Sequence, residues 1–313
     1  MREIRLKKED LLSDKEADSL AGTFLGDDRY NILVEEDCNV YKPDGSPLIM
    51  FRRQVLPTAV CKAAYPALRK AASGAMNRGM AGGIIPGGGS ANIGGSRTFI
   101  KSNDNATRAR PIKKDGTISN TSYSVSVPSG IIGYFDRYPR IPYCRLTAFN
   151  LSHPEKFQQA LPFIQAVNEV FKKECPERYA AQLAMVQRTS KDFVIHGTAF
   201  TTLTINRNWR TATHKDAGDL KEGFGVMAAL RAGKYTGGNL IFPKYKVAVN
   251  MQTQDVCLAD VHSWHGNSPL VGIEGAYERI SCVFYYRRKM SECGTAEEEL
   301  DRAKKLGIRN KNR

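Results

Sequence analysis

The stretch that decides the fold runs from Thr211 to Arg288, and it contains His214-Lys215-Asp216, Gly237-Gly238, His265-Gly266-Asn267 and Glu278-Arg279-Ile280-Ser281. The first histidine and the aspartate stand at H-x-D spacing, and the second histidine follows about fifty residues later. Two histidines and one carboxylate in this order are the pattern of a facial triad, which holds non-haem Fe(II) and leaves coordination positions open, as oxygenases require. The stretch therefore predicts a metal site.

The H-x-D spacing has a geometric reason on a β-strand. Residues two apart on a strand project to the same side, so we expect His214 and Asp216 to reach one metal ion from one strand. The third ligand must then come from another strand that the fold brings alongside. His262 and His265 compete for that position; we prefer His265, which begins H-G-N and has an arginine fourteen residues later.

That arginine, Arg279, is the candidate anion-binding residue. A planar guanidinium binds a carboxylate through two parallel hydrogen bonds. Residues 280–286 alternate between the two faces of a strand and are rich in β-formers, so we expect Arg279 to lie on a half-buried strand.

Three segments together resemble one known family: H-K-D-x-G-D at residues 214–219, H-G-N at 265–267 and the strand that begins with Glu278-Arg279. They look like the TET/JBP family of Fe(II)- and 2-oxoglutarate-dependent dioxygenases, most of all its JBP-like branch, which includes phage and fungal members. The resemblance covers roughly residues 129–290. These enzymes oxidise the 5-methyl group of 5-methylcytosine or thymine in nucleic acid. The resemblance thus implies oxidation of a 5-methylpyrimidine in DNA to its 5-hydroxymethyl form.

The resemblance also implies a cofactor and a co-substrate. Fe(II) would be held by His214, Asp216 and His265, and 2-oxoglutarate would pair with Arg279 beside Ser281. O2 would be the second co-substrate. The base would have to flip out of a duplex, or lie in a single strand, before its methyl group could reach the metal.

Four residues are candidates for contact with the substrate. Asp219 stands three residues beyond Asp216, and a carboxylate accepts a hydrogen bond from cytosine N4 or from the N3–H of thymine. This hydrogen bond does not distinguish 5-methylcytosine from thymine. A second role for Asp219 stays open, which is to cap the turn after the metal ligands. The further candidates to line the pocket are Asn206, Arg210 and Asn267.

The charge balance favours a polyanionic partner. The chain has 46 Lys and Arg against 32 Asp and Glu, a net charge of +14. Such a balance fits DNA bound through its phosphates, although the protein could also have a basic surface without a polyanionic partner. Two other functions stay open: a 2-oxoglutarate-dependent hydroxylase of a protein or small molecule, and an inactive DNA-binding module.

The composition also bears on the compartment. Seven scattered cysteines without a C-x-x-C pair argue for a reducing compartment and against a disulfide framework or a thiolate zinc site. The first residues lack the apolar core of a secretory signal, and no apolar run is long enough to span a bilayer. We expect an intracellular protein, in a nucleus or in phage-infected cytoplasm.

Short β-like runs separated by turn signals predict a mainly β, α+β fold, with a double-stranded β-helix (jelly-roll, cupin-like) core flanked by helices. We divide the chain into a mixed N-terminal region (1–120), a dioxygenase core (121–292) and a charged helical tail (293–313). Glycines crowd residues 73–95, where we expect no regular element. That stretch is a linker or a mobile loop beside the substrate, with Arg78 and Arg97 as candidate phosphate contacts.

Overall fold

A computed structural model of the chain describes residues 1–75, 78–83, 90–92, 98–101, 108–111, 113, 115–117, 123–124, 126–139, 141–216 and 218–311. The helices are α1 (Asp14–Ser19), α2 (Thr58–Ala71), α3 (Ala148–Ser152), α4 (Pro154–Glu174), α5 (Pro176–Gln187) and α6 (Ala296–Lys311). The strands are β1 (Arg2–Arg5), β2 (Ile32–Val34), β3 (Cys38–Tyr41), β4 (Pro47–Arg52), β5 (Ser90–Asn92), β6 (Thr98–Lys101), β7 (Arg108–Pro111), β8 (Tyr123–Ser124), β9 (Ser129–Phe135), β10 (Arg145–Leu146), β11 (Thr202–Arg207), β12 (Gly225–Gly237), β13 (Leu240–Phe242), β14 (Val247–Val249), β15 (Val256–Ala259), β16 (Gly266–Asn267) and β17 (Leu270–Tyr285). None of these helices has the length and apolar character needed to cross a bilayer.

Two sheets face each other and build the core. The major sheet has the order β1-β3-β4-β15-β12-β17-β11-β9-β10, and the minor sheet has the order β16-β13-β14-β2. A third sheet, β5-β6-β7-β8, lies in the N-terminal region. The N-terminal strands thus extend both core sheets, and the predicted mainly β, α+β class is confirmed.

The alternation of side chains along the central strands gives the major sheet two buried faces. On β12, Val226 and Ala228 pack toward the helices, whereas Met227 and Ala229 pack toward the minor sheet. Residues two apart on a strand share a face, so each central strand divides its side chains between the helix layer and the space between the sheets.

The helix layer consists mainly of α2 and α4, which contact each other and the major sheet. The apolar residues of α4 have the spacing of a helix that buries one face. Pro154 occupies its first turn, where a missing N–H costs nothing, and Lys172 and Lys173 occupy its last turn, where positive charge offsets the helix dipole. Its buried apolar residues are Phe157, Ala160, Phe163, Ile164, Val167 and Phe171.

Replacing Phe284 with alanine is expected to lower the free energy of unfolding by about 3–5 kcal/mol. Phe284 is fully buried on β17, with its ring centroid 5.4 Å from Phe200 and 6.0 Å from Phe163 of α4. Removing it opens a cavity between the sheet and the helix layer. Chemical unfolding would measure the loss. The control is Leu151→Ala, at a side chain that is 72% exposed, and an equal loss in both variants would contradict this account of the core.

One disulfide is present, which the cysteine pattern did not predict, although it does not amount to a disulfide framework. Cys144 and Cys293 are joined across a sequence separation of 149 residues, and the other five cysteines are free and buried. The bond ties the start of β10 to the segment before α6, where Arg137 and the backbone N–H of Cys144 both bind the Glu299 carboxylate. Linear spacing could not reveal a contact that only the folded sheet brings together.

The expectation that residues 73–95 hold no regular element is wrong in two places. Gly79–Gly82 form a 3-10 helix, and Ser90–Asn92 form β5. The helix is held by tertiary contacts, because the Ala81 carbonyl accepts a hydrogen bond of 2.9 Å from the Ala212 N–H and its side chain packs with Val127 and Trp209. The predicted mobile loop otherwise lies mostly outside the described residues, as does Arg97.

Candidate metal centre and cavity

The three predicted metal ligands converge between the two sheets. His214, Asp216 and His265 each offer one ligand atom, and these atoms all lie within 4.8 Å of one another. Asp216 Oδ1 is 3.5 Å from His214 Nε2, and Asp216 Oδ2 is 3.7 Å from His265 Nε2. His262 lies outside this cluster, with its Nδ1 3.6 Å from Asp260 Oδ1. The geometry favours His265 over His262 as the third ligand.

The backbone that brings the ligands together is not the strand that we expected. His214 and His265 form an isolated bridge, in which each N–H donates to the carbonyl of the other at 2.8 and 3.0 Å. Asp216 follows in irregular backbone, where its N–H donates to the Val261 carbonyl at 3.0 Å. The prediction of a ligand strand is therefore wrong, because tertiary hydrogen bonds to a neighbouring loop hold these residues instead of a continuous ladder.

Both imidazoles have the orientation that a metal ion needs. His214 Nδ1 lies 2.7 Å from the Ala212 carbonyl, and His265 Nδ1 lies 3.0 Å from the Ser263 carbonyl. A carbonyl oxygen only accepts, so each Nδ1 carries the proton and each Nε2 presents its lone pair toward Asp216. A donor set of two neutral imidazole nitrogens and one carboxylate fits Fe(II).

Burial keeps the first ligand in its neutral form. The pKa of His214 falls from 6.5 to about 4, mainly because of desolvation; the neighbouring ring of His265 also lowers it, whereas Asp216 raises it. The two ring centroids are 4.3 Å apart, and His265 is 4% exposed. His214 is therefore a neutral imidazole at neutral pH, which is the form that binds metals.

A cavity of about 360 Å³ opens beside the cluster. This volume is in the range of small-molecule sites. Its walls come from the inner face of the major sheet, from β13 on the minor sheet and from residues 78–81. On β17 the alternation is visible, since the odd-numbered positions face this space: Arg279, Ser281, Val283 and Tyr285.

Arg279 is a buried cation in this wall. The residue is 4% exposed, and desolvation lowers the pKa of its guanidinium. Among the described residues no carboxylate lies within 4.0 Å of it, so its charge has no internal counter-ion. The Gly237-Gly238 turn makes room for it: a Cβ on Gly238, whose φ is +69°, would lie 3.0 Å from Arg279 Cδ. The cavity thus contains a desolvated guanidinium available to an anion.

Three other predicted residues line the same cavity. Ser281 stands opposite Asn206 in the β11–β17 register, and the Asn206 Oδ1 accepts a hydrogen bond of 2.7 Å from Ser129. Asp219 is half-buried, but its Oδ2 atom is buried and has no hydrogen-bond partner among the described residues. An orphaned carboxylate oxygen at a cavity wall is costly unless a ligand or water completes it.

Two predicted residues mainly organise the surrounding loops. Arg210 does not line the cavity within the described part of the chain: it donates to the carbonyls of Asn267, at 3.1 Å, and Leu25. Asn267 does line the cavity, but its side chain accepts from Thr211 Oγ1 at 2.7 Å and donates toward the Gly238 carbonyl at 3.5 Å. Both residues connect the H-G-N segment to its neighbours.

Sequence reasoning did not place three residues in the cavity wall. Arg78 lies over the Trp209 ring at 5.7 Å, and its Nε is buried without a hydrogen-bond partner among the described residues. Tyr285 and Arg287 continue the inward face of β17, and Arg287 pairs with Asp136 at 2.8 Å. The alternation from Arg279 could have revealed Tyr285, whereas no local signal marks Arg78.

Comparison with known proteins gives concordant results. The Tet_JBP model, described as the oxygenase domain of the 2OGFeDO superfamily, matches residues 130–288, about half of the chain. Thymine dioxygenase JBP1 of Trypanosoma brucei brucei is 41% identical over 186 residues, which are 58% of this chain and 22% of that protein. Thymine dioxygenase JBP1-B of Trypanosoma cruzi (strain CL Brener) is 34% identical over 239 residues, 74% of this chain and 27% of that protein. The chain thus spans about a quarter of the length of these relatives.

A solved structure supports the same fold. The structure of NgTET1 in complex with 5mC DNA aligns with a TM-score of 0.55 at 14% identity, covering 87% of this chain and 86% of that one. This likeness confirms the predicted double-stranded β-helix core. The matched residues include the whole metal cluster and Arg279. The chain belongs to the Tet_JBP family, the oxygenase domain of the 2OGFeDO superfamily.

Proposed function

We propose that this protein is an Fe(II)- and 2-oxoglutarate-dependent dioxygenase that oxidises the 5-methyl group of a pyrimidine in DNA to a 5-hydroxymethyl group. One observation carries the proposal: His214, Asp216 and His265 converge beside a cavity that also contains the guanidinium of Arg279, which has no carboxylate within 4.0 Å among the described residues. Residues 121–292 would perform the catalysis, residues 1–120 would pack against them, and residues 293–313 would form the charged tail.

The first part of the proposal concerns the metal. His214, Asp216 and His265 would hold Fe(II), which, when bound, supplies the activation of O2 coupled to decarboxylation of 2-oxoglutarate. The chain's own contribution is to fix the two imidazoles through their Nδ1–H bonds to backbone carbonyls. Such contacts orient the ligands before the metal arrives.

The second part concerns the co-substrate. Arg279 would pair with the carboxylate of 2-oxoglutarate farther from the metal, with Ser281 as its neighbour on the inward face of β17. A guanidinium that is already desolvated, with no counter-ion in the part of the chain that the structure describes, gains from such a pairing, because the cost of removing it from water was met when the protein folded.

The third part concerns the base. Asp219 offers a carboxylate oxygen in the cavity wall that has no partner among the described residues, and Asn206 lies in the same cavity. A buried polar atom without a partner suits hydrogen bonding to the edge of a flipped pyrimidine. The names of the relatives, which are thymine dioxygenases, favour thymine over 5-methylcytosine.

The partner follows from the charge and from the relatives. A net charge of +14 suits contacts to DNA phosphates. Action on DNA would place the protein inside the cell, in a nucleus or in phage-infected cytoplasm. The carboxylate of Asp219 in the cavity wall argues against an apolar small molecule as the substrate.

An assay of DNA oxidation tests this function. The protein would be purified anaerobically, loaded with Fe(II), and incubated with 2-oxoglutarate, O2 and DNA that carries both thymine and 5-methylcytosine. We expect one pyrimidine nucleoside to gain one oxygen by mass spectrometry, with succinate formed alongside. His214→Ala is the blank, in which neither product should appear.

The two alternatives give different results in the same assay. Succinate formed with a protein or small-molecule substrate, and no change in the DNA, would favour a hydroxylase of another class. DNA binding without bound iron and without succinate would favour an inactive DNA-binding module. Either result would overturn the proposed substrate, and the second would overturn the enzyme.

A further inference from the structure

We propose that residues 18–25, which we call the N-terminal clamp, hold the two loops that bear the metal ligands, and that Asp18 is the positioning residue that joins these loops. The clamp lies far outside residues 130–288, which match the family model. The inference rests on the proposed metal site, since it concerns how that site is kept in shape.

The clamp holds the first ligand loop through its backbone. The Gly22 N–H donates to the Thr213 carbonyl at 2.8 Å, and the Thr213 N–H donates back to the Thr23 carbonyl at 2.8 Å. The Thr213 hydroxyl donates to the same Thr23 carbonyl at 3.0 Å. Thr213 is fully buried and directly precedes His214. The position of this ligand's backbone therefore depends on the clamp.

Asp18 connects that loop to the second one. Its Oδ1 accepts a hydrogen bond of 2.7 Å from Trp264 Nε1, and Trp264 directly precedes His265. The same oxygen lies 3.9 Å from the ammonium of Lys215, which stands between His214 and Asp216. The Lys215 ammonium in turn lies 4.5 Å above the Trp264 ring. One carboxylate thus contacts a neighbour of each of the three ligands.

The ligand loops need such support because they are irregular. Apart from the single His214–His265 bridge, residues 211–216 belong to no strand. Backbone outside a ladder retains conformational freedom, and ordering it on metal binding would cost affinity. Contacts outside the ligand set can hold ligands in place beforehand, and their loss typically weakens metal binding.

A capping box supports the helix from which the clamp begins. Ser13 and Glu16 form a capping box at the start of α1, which contains Asp18. Asp14, on the same helix, forms a 2.5 Å ion pair with Lys244, which follows β13 of the minor sheet. This second contact ties α1 to the sheet without touching either ligand loop. Asp14 therefore serves as a matched control for Asp18.

The experiment measures metal affinity without turnover, in the full chain. Co(II) would be titrated anaerobically into the protein, and its d–d absorption would report both the dissociation constant and the ligand geometry. The variants are Asp18→Ala, Trp264→Phe, the combination of the two, and the control Asp14→Ala. Trp264→Phe keeps an aromatic ring at this position but loses the indole N–H. Asp18→Asn tests rescue, because an amide oxygen can still accept from Trp264.

We expect Asp18→Ala and Trp264→Phe each to weaken Co(II) binding about 10-fold, the lower end for contacts outside the ligand set. The combined variant should lose little more than either single variant, because both remove one interaction. Asp18→Asn should recover most of the affinity, and Asp14→Ala should stay within about 2-fold. The thermal unfolding of the metal-free variants should match that of Asp14→Ala.

Several results would overturn the inference. Equal affinity in Asp18→Ala and Asp14→Ala would remove the positioning role, as would fully additive losses in the combined variant. An affinity loss matched by an equal fall in metal-free stability would reduce Asp18 to a general structural residue. If the unsubstituted protein bound no Co(II), the metal site itself would be wrong, and this outcome is distinct from a failure of the clamp.

Discussion

Asp216→Ala is expected to abolish iron binding and turnover while leaving the fold intact. The Asp216 carboxylate is the only group of the cluster that faces both histidines, at 3.5 Å from His214 Nε2 and 3.7 Å from His265 Nε2. Without it the site keeps two neutral imidazoles, too few protein ligands for Fe(II). Since losing a contact outside the ligand set costs 10–100-fold in affinity, losing a ligand should cost more than about 100-fold.

The fold should survive this change because the Asp216 side chain is 26% exposed and belongs to none of the apolar clusters of the core. Anaerobic titration with Fe(II) or Co(II) would measure the affinity, and circular dichroism would confirm folding. The control is His262→Gln, beside the distal ligand but outside the cluster, which should keep affinity within about 3-fold. Loss of metal in this control but not in His265→Ala would reverse the assignment of the distal ligand.

The parts of the site that could be predicted from sequence are those held by local patterns. Alternation along β17 placed Arg279 and Ser281 on one face, and the structure puts both in the cavity wall. From the H-x-D spacing we predicted that His214 and Asp216 lie together, and they do. They do not, however, lie on the predicted strand, since His214 forms only an isolated bridge. A two-residue spacing keeps side chains close in several backbone conformations, so the ligands were correct where the secondary structure was wrong.

The parts that sequence reasoning missed depend on contacts between distant segments. Strand β1 pairs with β3 at the edge of the major sheet, although β1 has only four residues, of which Ile4 alone is apolar. Cys144 and Cys293 meet only because β10 and the segment before α6 pack together. Arg78 reaches the cavity because the Ala81 carbonyl pairs with the Ala212 N–H. None of these contacts leaves a signal within a short window of sequence.

A second large effect is expected at Arg279, where function and stability should change in opposite directions. Arg279→Met keeps the length of the side chain and removes its charge. It should weaken 2-oxoglutarate binding about 100-fold or more, because losing a buried, hydrogen-bonded charge partner costs roughly 2–5 kcal/mol. Arg279→Lys keeps a charge but loses the two parallel bonds, so it should fall between Arg279→Met and the unsubstituted protein.

The same substitution should stabilise the empty protein. Desolvation lowers the pKa of Arg279, and no carboxylate among the described residues lies within 4.0 Å to offset the cost of burying its charge. An apolar side chain of similar volume avoids that cost, so Arg279→Met should raise the free energy of unfolding without ligands by about 1–2 kcal/mol. Such a trade of stability for binding is expected where a site is preorganised for its ligand.

Two measurements on one set of variants test both changes. Anaerobic titration of the Fe(II)-loaded protein with 2-oxoglutarate gives the affinity, and chemical unfolding of the metal-free protein gives the stability. Metal affinity without 2-oxoglutarate should stay unchanged in Arg279→Met, since Arg279 lies outside the ligand cluster. Arg53→Met, at an exposed arginine, is the control and should alter neither quantity. If Arg279→Met were both destabilised and fully able to bind 2-oxoglutarate, the guanidinium would be a structural group, and the anion site would have to lie elsewhere in the cavity.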